Sequence, residues 1–192
     1  MRKQYLKNLP ARHVDASPLR FRLKSTPVVA VQLCLSRGGE LCVKDLLPRV
    51  ESLLPKNIYV SLFDDCRKLP PRGLLLSALA YTCRGLLEGR TISRKPGLDL
   101  LLYLQGDRNI HMAVQRFSSG CDRRIGAVFF ALGVEPEDLR KTVGNVLGSL
   151  GLQVEEQGEN GSLDFYAEIA GVPREKAIDH LRARMALEAL EV

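Results

Sequence analysis

Apolar and polar positions alternate along this chain in two rhythms, one of period two and one of period near 3.6, and together they predict a run of short strands and amphipathic helices. Pro27 leads into an apolar run over 28–35 that reads as a strand. Asp45 then stands as the cap of a helix whose Leu46, Leu47, Val50, Leu53 and Leu54 form one stripe. Pro48 falls in its expected first turn and Pro55 ends it. Residues 58–63 alternate Ile58, Val60 and Leu62 with Tyr59, Ser61 and Phe63, the pattern of a strand. Pro70 and Pro71 open the longest apolar helix, 72–90, whose single polar stripe is Ser77, Tyr81, Arg84 and Glu88.

Leu100, Leu101, Leu102 and Leu104 form a continuous apolar run that predicts a strand covered on both faces. Gly106 breaks it. Ile110, Ala113, Val114 and Phe117 then recur as one helix face. A further strand is predicted over 125–132, and a helix from Pro136 with Leu139, Val143, Val146, Leu147 and Leu150 inward, stopped by Gly151. Residues 157–161 read as a polar loop, and the spacing of Leu163, Tyr166 and Ala170 as a short helix. The last helix runs from Pro173 to about residue 190, with Ala177, Ile178, Leu181 and Met185 as its core face. A second strip, Ala183, Ala186, Leu187 and Leu190, is either a partner-binding surface or more core.

Strands alternating with helices argue an α/β class: a single layered domain over 27–192, in which a mixed sheet is flanked by helices. Residues 1–26, broken by Pro10 and Pro18, have no periodic apolar face and read as a basic N-terminal arm. The 192 residues suffice for one core. Hydrophobic content of 45% and charged content of 26% are those of an ordinary soluble domain. The apolar runs are too short to span a bilayer and the basic N-terminus lacks an apolar signal region, so the expectation is a cytoplasmic protein with no membrane contact. Charge is uneven: residues 1–24 carry a net +6, 25–150 a net +5 and 151–192 a net −5. A basic tail of this kind approaches nucleic acid or simply solubilises.

The chemistry of an enzyme is not apparent. His13, His111 and His180 stand in no nucleophile motif, and there is no phosphate-binding glycine loop. The five cysteines, Cys34, Cys42, Cys66, Cys83 and Cys121, lack zinc-ligand spacing, and Cys34 and Cys83 lie in apolar runs as small core residues. The expectation is therefore no catalytic residue, no metal and no cofactor. Asp64-Asp65 at a strand end is a metal pair or an ordinary strand terminus. A small thiol- or metal-dependent enzyme using Cys121 or that pair is the alternative reading.

Recognition remains. Arg84, Arg90, Arg94, Lys95, Arg108, Arg116, Arg123 and Arg124 fall within 41 residues, several at element ends where they can converge for phosphate contacts. Tyr81 and Tyr103 are available to stack on an unpaired base. Arg108 and Asn109, after Gly106, sit where a strand end meets a helix start, a setting that suits an anion. An ordinary turn with a solvated Arg has the same spacing.

The segments 78–95 (ALAYTCRGLLEGRTISRK) and 98–120 (LDLLLYLQGDRNIHMAVQRFSSG) resemble the TPRKB-like family, the kinase-binding and tRNA-binding subunits of the KEOPS complex. The family's turn is Gly-x-Arg-Gln-Ile. Here it reads Gly106-Asp107-Arg108-Asn109-Ile110, with Asn in place of Gln. The closing segment 166–190 (YAEIAGVPREKAIDHLRARMALEAL) is similar to the family's final unit. The resemblance implies a non-catalytic subunit that binds the small atypical kinase of the complex and the 3′ CCA end of tRNA, with threonylcarbamoyl-adenosine synthesised elsewhere. RNA contacts would come from Arg84, Arg90, Arg94, Lys95, Gly106, Arg108, Asn109, Arg123 and Arg124, and partner contacts from Leu187 and Leu190. A scaffold without RNA affinity is the remaining possibility.

Overall fold

A computed structural model describes residues 17–155 and 163–190; the loop expected over 157–161 and the first 16 residues of the expected arm lie outside them. The elements in chain order are β1 (Leu19–Leu23), β2 (Thr26–Cys42), α1 (Val43–Leu53), β3 (Ile58–Phe63), a 3₁₀ turn (Cys66–Lys68), α2 (Arg72–Glu88), α3 (Pro96–Gln105), α4 (Ile110–Phe117), β4 (Cys121–Leu132), α5 (Pro136–Leu150), β5 (Gln153–Glu155), α6 (Leu163–Ala170) and α7 (Arg174–Leu190). The α/β layering is as the sequence predicts. The sheet itself is not the expected mixed one: the strand pairs among the described residues are all antiparallel, in the order β1-β2-β4-β3, with β5 on the same flank of β2 as β1.

The continuous apolar runs of β2 and β4 are explained by cover on both faces. Val28 and Ala30 with Val128 and Phe130 enter one core, beneath α2, α3, α4, α6 and α7. Val29, Val31, Ala127 and Phe129 enter a second core, beneath α1 and α5. Period-two alternation thus feeds two apolar layers rather than one.

Three expectations are corrected. Residues 100–104 are helix, not strand, because α3 is buried all round: every residue from Asp99 to Gln105 is 4% exposed or less. A stripe cannot appear on such a helix, so the apolar run is uninformative and the ends decide. Pro96 occupies the first turn and Gly106 closes the helix at φ 66°. The expected arm is also partly structure. Residues 19–23 form β1, paired with 26–30 of β2, and Leu19 is buried. Finally, α1 begins at Val43 with Cys42 at its N-cap, so Asp45 lies in the first turn and Pro48 inside the helix.

Glycine places α3 against the sheet. A Cβ on Gly97 would overlap the Val60 carbonyl oxygen. The Ser61 hydroxyl donates to the Gly97 carbonyl at 2.7 Å. Two disulfides tie the sheet: Cys34–Cys66 joins β2 to the 3₁₀ turn, and Cys42–Cys121 joins the ends of β2 and β4. Cys34 is therefore a bridged cysteine, and Cys83 alone keeps the buried thiol expected of it. Burial pushes that thiol up to about 12.

Candidate nucleic-acid interface

The Gly106–Ile110 turn joins α3 to α4 and is docked by α7. Gly106 takes the left-handed conformation, and its carbonyl accepts from Arg184 Nε at 3.0 Å. The Asp107 carboxylate accepts from the Asn109 backbone N–H at 3.0 Å. Asn109 Oδ1 accepts from the Met112 N–H at 3.1 Å and so caps α4. Arg108 Nε lies 3.0 Å from Glu188 Oε2, and Nη2 donates to the Glu188 carbonyl at 2.7 Å. The anion setting expected at Arg108 and Asn109 is thus filled by the protein itself. Asn109 supplies the oxygen at the helix start, and Glu188, 80 residues on, supplies the counter-charge. The motif is a joint between α3, α4 and α7.

Arg84 turns to Glu88, at 3.2 Å. Lys24 also reaches Glu88, at 3.4 Å. The hydrogen bond from Arg84 holds the Glu88 carboxyl below its ordinary range. Tyr81 and Tyr103 stack on each other, ring centroids 5.5 Å apart. Tyr103 is 3% exposed, so it is not open to a base. Its phenol is raised first by burial and then by the nearby Asp99 carboxylate. The exposed side of α2 carries Leu76, Arg84 and Leu87, with Ser77, Tyr81 and Glu88 half-buried.

Arg90 is exposed just past α2, its backbone N–H donating to the Gly85 carbonyl at 2.8 Å, and four further basic candidates separate into two groups at opposite ends of β3. Lys95 reaches Glu51 at the end of α1, 2.9 Å away. With Arg94 and Gly97 it lines a concavity of about 250 Å³ beside Ile58, Tyr59 and Val60. Arg123 and Arg124 stand at the start of β4, beyond Gly126, the partner of Phe63. Arg124 lies 3.8 Å from Glu155 on β5. A single basic edge does not form among the described residues.

What does form is a shallow cavity of about 500 Å³ lined by Thr91, Ile92, Ser93, Arg94, Lys95, Leu98 and Ile110. Its wall is the 91–95 loop, held from beneath by the buried Asp99. That carboxylate accepts from the backbone N–H groups of Ile92 at 3.1 Å and Ser93 at 2.7 Å. Burial raises the Asp99 pKa above its ordinary value against the opposing pull of those hydrogen bonds. Arg94 is exposed and makes no ion pair among the described residues. Ile110, 45% exposed, brings the start of α4 to the same cavity. Ile92 and Leu98 carry no charge and Asp99 lies inside an apolar run, so patterning does not mark them; the spacing of Asp99 to Ser93 is the local signal that could have found them.

The residues of the enzyme alternative have structural partners. Asp64 Oδ1 lies 2.7 Å from Lys68 Nζ, and its Oδ2 accepts from the Gly120 N–H at 2.9 Å. Asp65 caps the 3₁₀ turn and pairs with Arg67 at 2.6 Å. Cys121 is bonded to Cys42. Leu187 and Leu190, by contrast, stand out from α7 at 62% and 82% exposure, so the second strip is not core. No family model matches the chain, and no curated protein matches it either.

Proposed function

We propose that this chain is a non-catalytic subunit of a KEOPS-type tRNA-modifying complex, holding the 3′ CCA end of tRNA and contacting the small atypical kinase subunit. The observation that carries this reading is the cavity between the 91–95 loop and the start of α4. Its apolar surface, Ile92, Leu98 and Ile110, suits the face of an unpaired base, and Arg94 and Lys95 at its rim suit the adjoining phosphates. The residues around it belong to two of the three segments that carry the family resemblance, 78–95 and 98–120. Leu187 and Leu190 are the proposed kinase contact. The sequence charge of +6 favours a polyanionic partner.

The test is a filter-binding titration of intact tRNA against tRNA lacking its CCA end, with the wild-type protein and Arg94→Ala. Intact tRNA binds more tightly, and Arg94→Ala weakens binding by about 1–3 kcal/mol for a base contact or lowers the salt slope by about one for a phosphate. Equal affinity for both RNAs refutes end capture. The pairing of Arg108 with Glu188 and of Arg84 with Glu88 favours the second reading, a scaffold without RNA affinity, and that reading predicts no measurable binding of either RNA.

A further inference from the structure

The two disulfides differ in what can reach them. Cys34 and Cys66 are 2% and 9% exposed, and Cys66 Sγ also lies 3.1 Å from the Ile125 carbonyl. Cys121 is exposed and Cys42 half-buried, at the last rung of the β2–β4 ladder, where the two residues face each other directly. Beside them the exposed Glu40 places a carboxylate oxygen so that it and the two sulfurs all lie within 4.8 Å of one another. Glu40 reaches this position from an interruption in β2. The register passes from Ser36↔Arg124 to Leu41↔Asp122, so four residues of β2 oppose one of β4. A Cβ on Gly38 or Gly39 would have no neighbour within 4 Å, so nothing packs this bulge in place.

We propose that Glu40, Cys42 and Cys121 form a redox-gated site for a thiophilic divalent cation of the zinc class, closed while the sulfurs are bonded and opened by a dithiol reductant. Opening is thiol–disulfide exchange: the reductant transfers two electrons and two protons, the S–S bond breaks to two thiols, and the reductant closes its own disulfide. Metal entry then displaces both thiol protons and leaves two thiolates on the ion. Two sulfurs and one carboxylate oxygen are a borderline-soft donor set, suited to Zn²⁺ and not to the all-oxygen shells of Ca²⁺ or Mg²⁺. A tetrahedral ion with Zn–S bonds near 2.3 Å holds its sulfurs about 3.8 Å apart. The Cα atoms are 4.0 Å apart, so side-chain rotation supplies that separation while the ladder stays intact. It stays intact because the rungs above remain and the Val43 N–H donates to the Gly120 carbonyl at 3.3 Å. Three protein ligands leave the fourth position to water or to an incoming ligand.

The test is mild dithiol treatment of the folded full-length chain, followed by thiol counting without denaturant and titration with Co²⁺. The oxidised protein shows no native thiol, since Cys83 is buried. The reduced protein shows two native thiols, and one equivalent of Co²⁺ gives a thiolate charge-transfer band that Zn²⁺ abolishes. Cys42→Ser with Cys121→Ser gives no band, and Glu40→Gln weakens the metal by roughly tenfold or more. A fully reduced, folded protein with no band at stoichiometric Co²⁺ overturns the proposal. So does a band of equal strength in the double serine variant. Failure of the dithiol to release the two thiols short of unfolding overturns the gating.

Discussion

Arg108→Ala separates a structural joint from a ligand contact. The side chain makes an ion pair with Glu188 at 3.0 Å and donates to the Glu188 carbonyl at 2.7 Å. The two side chains are 35% and 22% exposed, so the Coulomb part is screened and contributes at most about 1 kcal/mol. The hydrogen bond to the carbonyl survives solvent better, since a charged donor to a partly buried acceptor contributes about 1.5–3 kcal/mol when undiscounted. The net expectation for Arg108→Ala is a loss of roughly 1–2 kcal/mol. In a domain of this size that lowers Tm by roughly 3–6 °C in calorimetry. Glu188→Ala keeps the backbone acceptor and removes only the carboxylate, so its loss is smaller. The coupling of the pair in a double-mutant cycle is about 0.5–1 kcal/mol. Arg108→Lys recovers part of the loss, because an ammonium reaches one acceptor where the guanidinium fork reaches two. Unchanged Tm in Arg108→Ala, with tRNA affinity lost, refutes the joint and makes the guanidinium a ligand group.

Other outcomes follow from the same geometry. Gly97→Ala drives a Cβ into the Val60 carbonyl and costs about 1–3 kcal/mol, read as a lower denaturant midpoint; an unchanged midpoint means α3 is not pressed on β3. The Asp99 carboxyl, raised by burial in the folded state above the ordinary aspartate value of 3.8, holds a proton that the unfolded chain has released. Stability from this group is therefore full below that value and falls as pH rises through the folded pKa, and Asp99→Asn flattens this part of a stability–pH curve. A carboxyl resonance that titrates at or below 3.8 contradicts it. Leu187→Asp with Leu190→Asp leaves Tm within about 1 °C, since both side chains are exposed, and weakens kinase binding while tRNA binding is retained. Global unfolding of that variant would place the strip in the core.

Local signals carried most of the element positions. The alternation in Ile58–Phe63 sorts its side chains between the two cores, and the Pro136 and Gly151 boundaries of α5 are where capping chemistry puts them. The strand expected at Leu100–Leu104 failed because burial on all sides erases periodicity; Pro96 and Gly106 carried the correct answer, as the ends of a ten-residue helix. Residues 19–23 do carry the period-two signal of a strand, Leu19, Phe21 and Leu23 alternating with Arg20 and Arg22, but it is one short run inside a basic, proline-broken segment. The site was less legible. Arg108 looks like an anion ligand until Glu188 is folded onto it, and no local pattern pairs residues 80 apart. The same holds for the cysteines, whose bridges span 32 and 79 residues and depend on strand register. The 91–95 cavity depends on a carboxylate hidden inside an apolar run.

Among the described residues the sheet offers another chain only short edges, and its longest strand, β2, is flanked on both sides. On the far side of β3 the Val60 carbonyl is met by Gly97, and the Leu62 carbonyl accepts from the Ser118 hydroxyl at 2.6 Å. On the other side β1 covers 26–30 of β2 and β5 covers 34–36. A partner that docks by adding a strand would meet only the outer edges of the short β1 and β5, or would have to displace one of them to reach β2. The cover at β1 is also removable. A chain shortened to begin after Lys24 bares the donors and acceptors of Thr26, Val28 and Ala30 along an uncharged apolar stretch, a template for identical molecules. Such a truncation would self-associate through β2, and an RNA titration made with it would be read on the wrong species.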